Sequence, residues 1–543
     1  MTPAHRPHDH TFAVSTDDRK RLFMTMTPQA RTTTAELGFP AILTPEALET
    51  AADPVLVRLD EGARTAVARC HDYLHRCLAE GREIYGATTG FGPLVGFSGR
   101  DEAADQCENL LCHLDVGQGA DLPPGVARAA LLARLWSLAH GRSGVALEVV
   151  DALSATLATP FAPAVPEYGS VGASGDLAPM AHAVRSLQGR GDAYLGAVRM
   201  PAGRALAEAG LQPLSLSGRD ALGLVNGTPV TAAAAGLALA ALTRSLASAT
   251  ALTALLADIL GCRTEFAAPE LFTALGHDDT ARQAADLRAH LAGHRPGGER
   301  ALQEPYTLRC APHLIGAAAT SLRHARRVVT DDLNGVSDNP LFIPERDLIR
   351  HGGNFFGQQA AFAADLMSIT AAQLGNLAER QLDLLIDPRR NGGLNPMLAE
   401  QPGRDHGVQG VQLAATSLVV AMRRAAVPAA MQSIPTNHHN QDVVPFGTQA
   451  AITALEQART LRLLHGSLAV ALAQAARVGA RRPSAPRCAE LLDALDTAVA
   501  AGSTWAQAVR TTADLLDTWE PLEPSAEAGQ PWAAEAGGRP AGG

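Results

Sequence analysis

Lysine is all but missing from this chain. Among 543 residues the only one is Lys20, and every other basic residue with a permanent charge is arginine. An internal Schiff base to pyridoxal phosphate needs a buried lysine, and a Walker-type phosphate loop needs one as well. Lys20 lies in a polar N-terminal stretch with no core pattern, so neither class is expected. Aromatic residues are also sparse, at 4%. The seven cysteines are odd in number, scattered and never spaced Cys-x-x-Cys. That pattern suits reduced thiols in a cytoplasm better than a disulfide framework or a zinc site. There is no long basic block, and Asp plus Glu (55) exceeds Lys plus Arg (45), for a formal charge of −10. Neither nucleic acid nor an anionic membrane is therefore an expected partner; surface charge of this size is ordinarily plain solubility. The N-terminus has no apolar signal core. The most apolar stretch, residues 229–243, runs 15 residues to Arg244, which is too short for a bilayer span.

What is present is a large apolar fraction, 46%, against 18% charge. That supports a sizeable core and disfavours global disorder. Residues 1–37 read as a flexible leader, and residues 520–543, with four prolines and five glycines, as a disordered tail. His5, His8 and His10 in the leader lack partner ligands, and a solvated tail is the simpler reading than a metal site. Between the ends the period is helical. Leu131, Leu135 and Leu138 follow Pro123-Pro124 at four-three spacing; Phe362, Leu366, Ile369, Leu374 and Leu377 repeat it in a segment that Pro388 closes. Similar Ala/Leu periodicity fills 230–260, 408–430 and 448–478, while strand candidates are few: Ala193–Met200 and both sides of Glu345-Arg346. The expected fold class is mostly α: a smaller N-terminal α/loop domain over 38–225 and a long central and C-terminal helix bundle over 226–519.

Against that background, glycine-rich irregular segments mark where function concentrates. The most informative is Gly169-Ser170-Val171-Gly172-Ala173-Ser174-Gly175-Asp176-Leu177. It reads in three ways. One is a tight turn with Asp176 as helix N-cap. Another is a serine nucleophile, but the esterase elbow Gly-x-Ser-x-Gly is not met, because glycine follows Ser174 directly. The third is self-modification. The Gly175 nitrogen, unhindered by a side chain, attacks the Ala173 carbonyl carbon, and loss of water closes a five-membered ring. Loss of the Ser174 hydroxyl as a second water leaves an exocyclic methylidene, an electrophile made from the chain itself.

This segment resembles the aromatic amino acid ammonia-lyase family, which includes histidine, phenylalanine and tyrosine lyases and related aminomutases. Six other family-like segments occur in the expected order along the chain: Tyr85-Gly86 through Thr89-Gly90-Phe91-Gly92; Leu224-Val225-Asn226-Gly227-Thr228; Tyr306-Thr307-Leu308-Arg309-Cys310; Ser337-Asp338-Asn339-Pro340; His351-Gly352-Gly353-Asn354-Phe355; and Asn440-Gln441-Asp442-Val443. The likeness covers roughly residues 40 to 515. It implies a 4-methylidene-imidazol-5-one (MIO) group built from Ala173, Ser174 and Gly175 in the N-terminal domain, with no metal. Tyr85, otherwise a core or turn tyrosine, becomes the candidate base for the substrate β-proton, which calls for a lowered phenol pKa. Tyr306 is a second phenol beside the MIO. Arg309, otherwise in a structural ion pair, becomes a bidentate clamp on the substrate carboxylate. Asn226 and Gln303 are implied amide partners, and Phe355 an apolar wall. Glu304 stands where relatives carry Asp.

Substrate choice rests on His113, Leu114 and Gln441. Histidine lyases resemble one another in a His at the position of Leu114 and a Glu at that of Gln441; phenylalanine lyases favour an aromatic residue at that of His113. The pair His113-Leu114 resembles the tyrosine-selective form, where an imidazole meets the phenol hydroxyl and leucine packs on the ring; the plain alternative for His113 is a helix-surface or cap residue. The implied activity is L-tyrosine to 4-coumarate and ammonia, with tyrosine 2,3-aminomutase or phenylalanine or histidine lyase as alternatives. The implied partners are a small aromatic amino acid and three further copies of the chain, in a homotetramer with shared active sites. A non-catalytic helical assembly protein and a Ser174 hydrolase are the other classes, the latter without an acid-base pair at a recognisable spacing. The Asn437-His438-His439-Asn440 run lacks acid or Cys ligands nearby and reads as a pocket-edge loop.

Overall fold

The computed structural model describes residues 34–99, 102–297 and 300–519. Most of the expected leader and all of the expected tail lie outside them. Residues 35–37, expected in the leader, belong to strand β1 (Ala35–Phe39), which pairs in parallel with β2 (Val55–Leu59). Asp60 then accepts from the Ala63 N–H at 2.7 Å and caps helix α1 (Glu61–Ala79).

Two features set the N-terminal half. Helix α2 (Ala103–Leu114) carries His113 and Leu114 at its last turn, and α3 (Pro124–Ala139) is buried on nearly every side. Short strands fill the intervals: β3 (Gln118–Asp121) with β5 (Pro166–Tyr168), and β4 (Phe161–Pro163) beside the hairpin β6 (Asp192–Leu195) and β7 (Val198–Pro201). The hairpin is the one the sequence marks. Strands β3, β4 and β5 are three or four residues long, too short to display a period-2 pattern. Helices α4 (Leu177–Leu187) and α5 (Asp220–Val225) lead out of this half toward the bundle.

The bundle is built from α6 (Pro229–Ile259), α7 (Ala311–Asn334), α8 (Gln358–Ile386), α9 (Gln409–Ala425) and α10 (Gly447–Val478), with α11 (Pro486–Ala501) and α12 (Trp505–Thr518) against its far end. The second marked hairpin, β8 (Leu341–Ile343) and β9 (Leu348–Arg350), links α7 to α8. Pro229 opens α6 at its first position, where the missing N–H has no intrahelical partner to lose. Helix α6 is apolar all round because it is the bundle's centre, contacting α3, α7, α8 and α10. Small residues set the spacing: a Cβ on Gly236 would overlap Leu48, and one on Gly466 the Val509 carbonyl. One apolar cluster runs from Phe39 to Leu516 across both halves.

Two expectations change here. The apolar run at 229 is not closed off at Arg244: it lies in α6, 31 residues in all, and Arg244 is neutralised within that helix by Glu49 (2.8 Å) and Asp517 (2.9 Å). The helix is long and apolar enough to cross a membrane by length and composition, but its sides are mostly packed inside the bundle. On α8 the expected inward face is divided. Leu374 and Leu377 are buried, while Phe362 is 61% and Ile369 40% exposed in the single chain. The helix instead buries Ala363, Met367, Ala371 and Ala378.

Candidate active site

The N-termini of α4, α6, α8 and α10 converge at one place. A Cβ on Gly172 would lie 3.3 Å from the Gly447 nitrogen; one on Gly447 would lie 3.1 Å from Thr231 and 3.6 Å from the Gly357 carbonyl oxygen. Four helix ends aim partial positive charge at this point, which suits a carboxylate or a developing oxyanion.

The turn Gly172–Gly175 sits there. Gly172 and Gly175 both have φ +74°, and the Gly175 N–H points at the Gly172 carbonyl at 3.3 Å. Gly175 is pressed on Gly227 so closely that a Cβ would overlap the Gly227 carbonyl. Only glycine fits, for both conformation and space. Asp176, fully buried, begins α4 but does not cap it with its side chain. Its carboxylate reaches α6 instead, accepting from the Thr231 N–H (2.8 Å) and hydroxyl (2.8 Å), and from Thr448 (2.6 Å) on α10. Burial raises its pKa, while the Thr448 and Thr231 donors hold it down.

Ser174 Oγ accepts from Gln441 Nε2 at 3.2 Å. The amide is oriented from behind: Thr436 Oγ1 (2.6 Å) and Asn437 Nδ2 (2.7 Å) both donate to Gln441 Oε1. Glutamate at 441 could take those two donors but could not donate onward to Ser174. Asn226 Nδ2 donates to the Asn339 carbonyl at 2.9 Å, and its Oδ1 is buried without a partner. A turn that only glycine fits and a serine hydroxyl pinned by Gln441 together fit an MIO group formed from Ala173, Ser174 and Gly175, and the orphaned Asn226 Oδ1 beside Gly227 is an acceptor open to a substrate ammonium.

Tyr85 enters through its own loop. Its hydroxyl oxygen accepts from the Gly92 N–H at 2.8 Å, and its backbone N–H donates to His351 Nε2 at 3.3 Å. The expected lowered phenol pKa is reversed in the single chain. Burial pushes it up, and the Gly92 amide and the Arg219 charge only partly oppose that. Tyr85 joins the turn through a chain of contacts: His351, then Gly352 N–H to Asn339 Oδ1 (2.7 Å), then Asn339 to Asn226, beside Gly227.

Three of the expected residues stand apart. Tyr306 is 69% exposed, with the Arg309 guanidinium 4.5 Å above its ring. Arg309 Nε is buried without a partner, and Gln303 is exposed. Glu304 is buried and paired with Arg300, so it anchors this segment. Among the described residues, no hydrogen bond joins these side chains to the Ser174 turn. Phe355 is half-buried in the segment of His351. At the end of α2, Leu114 is buried in the core cluster and His113 is exposed.

Sequence reasoning missed the support behind Asn226. Arg219 grips Asp338 bidentately (2.9 and 2.8 Å), and Arg134 donates to the Ser337 carbonyl at 2.7 Å; the Arg219, Asp338 and Arg134 side chains are all fully buried. The Ser337–Pro340 motif was the available signal; its partners, far away in the chain, were not.

The aromatic amino acid lyase family profile matches residues 43–497. A tyrosine ammonia-lyase from Cereibacter sphaeroides is 42% identical over 471 residues, 82% of this chain and 87% of that one. A histidine ammonia-lyase from Symbiobacterium thermophilum is 37% identical over 79% of this chain and 85% of its own. Among solved structures, a tyrosine aminomutase from Streptomyces globisporus superposes with a TM-score of 0.83 at 29% identity, covering 89% of this chain and 97% of the other. On the matched span and these identities, the chain belongs to the aromatic amino acid lyase family.

Proposed function

We propose that this lyase converts L-tyrosine to 4-coumarate and ammonia. The observation that carries the reading is the Ala173–Gly175 turn, wedged on Gly227 and held at Ser174 by Gln441. An MIO group held there by Gly227 and Gln441 would supply an electrophile for the substrate amine, which would make ammonia a better leaving group. The chain's own residues do the rest. Tyr85 Oη, facing the Gly92 N–H, takes the β-proton, and that N–H steadies the phenolate which must precede transfer. Arg309 clamps the carboxylate, and the converging helix ends favour the same charge. Asn226 Oδ1 accepts from the substrate amine. His113 bonds the ring hydroxyl, Leu114 and Phe355 contact the ring, and Tyr306 and Gln303 line the amine end. The tyrosine ammonia-lyase relative and the amide at 441 support tyrosine over histidine.

Two features support a homotetramer with shared sites. Tyr306, Gln303 and Arg309 lie away from Ser174 in one chain, and Phe362, Ile369, Leu413, Val420 and Ile434 leave an apolar surface open. A second copy can cover that surface and complete the site. A cytoplasmic location accords with seven unpaired cysteines. The second reading, a tyrosine aminomutase that re-adds ammonia at the β-carbon, is favoured by the structural likeness to such enzymes. Incubation with L-tyrosine, L-phenylalanine and L-histidine separately, with product identification, decides: 4-coumarate supports the lyase, β-tyrosine the aminomutase, and urocanate alone refutes both.

A further inference from the structure

The group that selects the substrate ring and the turn that supplies the electrophile lie on different segments, and one imidazole joins them. His182 is on α4, the helix that starts directly after the Ala173–Gly175 turn. Its Nδ1 lies 3.2 Å from Asp115 Oδ1, one residue beyond His113-Leu114. On the opposite side of the ring, Nε2 accepts from the Gly117 N–H at 2.9 Å. A backbone N–H can only donate, so Nε2 is unprotonated, and in the neutral ring Nδ1 carries the proton and turns it toward the Asp115 charge. A single neutral tautomer satisfies both contacts.

The rest of the junction agrees with that assignment. Arg185, on the same face of α4, takes the other Asp115 oxygen (Nε–Oδ2 2.7 Å) and reaches Glu108 on α2 (3.3 Å). A Cβ on Gly117 would come within 2.8 Å of His182 Nε2, so the chain passes the ring as closely as glycine permits. The charged groups facing the ring are Asp115, Asp121 and Arg185; burial lowers the His182 pKa, Asp115 and Asp121 oppose that, and Arg185 adds to it. The neutral form is thereby favoured at neutral pH.

We infer that His182 is a positioning residue for substrate selection: it holds Asp115–Gly117 against α4 and so sets where His113-Leu114 stand relative to the Ala173–Gly175 turn. The inference rests on the active-site reading above. A ring contact must be held to a fraction of an ångström to discriminate one hydroxyl, and the end of α2 has this clasp to provide it. An ordinary structural latch would affect all substrates alike.

The test is the tyrosine-to-phenylalanine ratio of kcat/KM, with intact mass as a check that the two-water loss still occurs. His182→Leu is expected to shift the wild-type ratio about tenfold toward parity, whichever ring the wild type prefers. His182→Gln keeps an acceptor for the Gly117 N–H and a polar N–H at this junction, and is expected to stay within about twofold of wild type. Should His182→Leu fail to fold, Asp115→Asn is read instead: it puts an N–H donor where an acceptor is needed, and a shift of about fivefold is expected. An unchanged ratio in these variants, with both substrates lowered together or neither, overturns the inference. Failure of the tyrosine reading is seen separately, as wild-type enzyme that does not turn over tyrosine.

Discussion

Removing the charge of Asp338 should damage the protein more than any exposed ion pair could. Its side chain is fully buried, paired with Arg219 at 2.8 and 2.9 Å, and Arg134 Nη2 stands 3.7 Å away. Burial already lowers the Arg134 pKa to about 10, with Asp338 opposing the shift. Asp338→Asn preserves size and one acceptor but leaves two buried guanidinium groups without their shared counter-charge. Breaking a buried pair from one side costs about 3–5 kcal/mol, against about 0–1 kcal/mol for a surface pair. The damage should also reach the site, since Asn339 holds Asn226 and Gly352. Denaturant midpoints at fixed protein concentration measure the loss, and Arg58→Gln, which removes the exposed Glu36 partner, is the control. In a double-mutant cycle, Arg219→Leu with Asp338→Asn should cost well below the sum of the two singles. A loss below about 1 kcal/mol for Asp338→Asn, or simple additivity, would refute the buried-pair argument.

Three other outcomes are expected. Tyr85→Phe keeps the ring and the two-water mass loss but lowers elimination by about 10²–10⁴-fold, measured as single-turnover product formation; near-normal turnover would point to another base. His113→Phe loses a bond to the phenol hydroxyl and gains apolar surface, so the phenylalanine-to-tyrosine ratio of kcat/KM should rise at least about tenfold; an unchanged ratio removes His113 as selector. His294 donates to Asp258 (2.8 Å) and to the Cys262 carbonyl (2.8 Å), which raises its pKa through the Asp258 and Cys262 hydrogen bonds despite desolvation. A raised folded pKa stabilises below the unfolded value near 6.5, and that contribution is lost as pH climbs through the folded value. The stability gap between wild type and His294→Gln should therefore narrow toward alkaline pH; a gap that widened would contradict it.

Long-period features were legible in the sequence. Leu131, Leu135 and Leu138 mark α3, and the Ala/Leu runs mark α6, α9 and α10, because helical burial repeats over many residues. The stripe of Phe362 and Ile369 was legible as apolar, but not as facing out of the single chain. Arg244 read as the end of the apolar run because its neutralising partners, Glu49 and Asp517, are remote in sequence. The same limit applied to the site. The Ala-Ser-Gly turn is local chemistry and could be read directly, as could Gln441 by motif. The Asp176 reach to α6, the Arg219–Asp338 pair and the His182 clasp join segments far apart, and no local pattern announces them. Tyr85 shows the converse, since the base role its motif implies calls for a low phenol pKa and burial raises it.

Intact mass of the purified protein tests the central claim most directly. The account predicts a wild-type chain lighter than its sequence by two waters, and a Ser174→Ala chain that folds, lacks that loss and forms no product from L-tyrosine. A wild-type chain of full sequence mass that still releases ammonia from tyrosine, or a fully active Ser174→Ala variant, would contradict it.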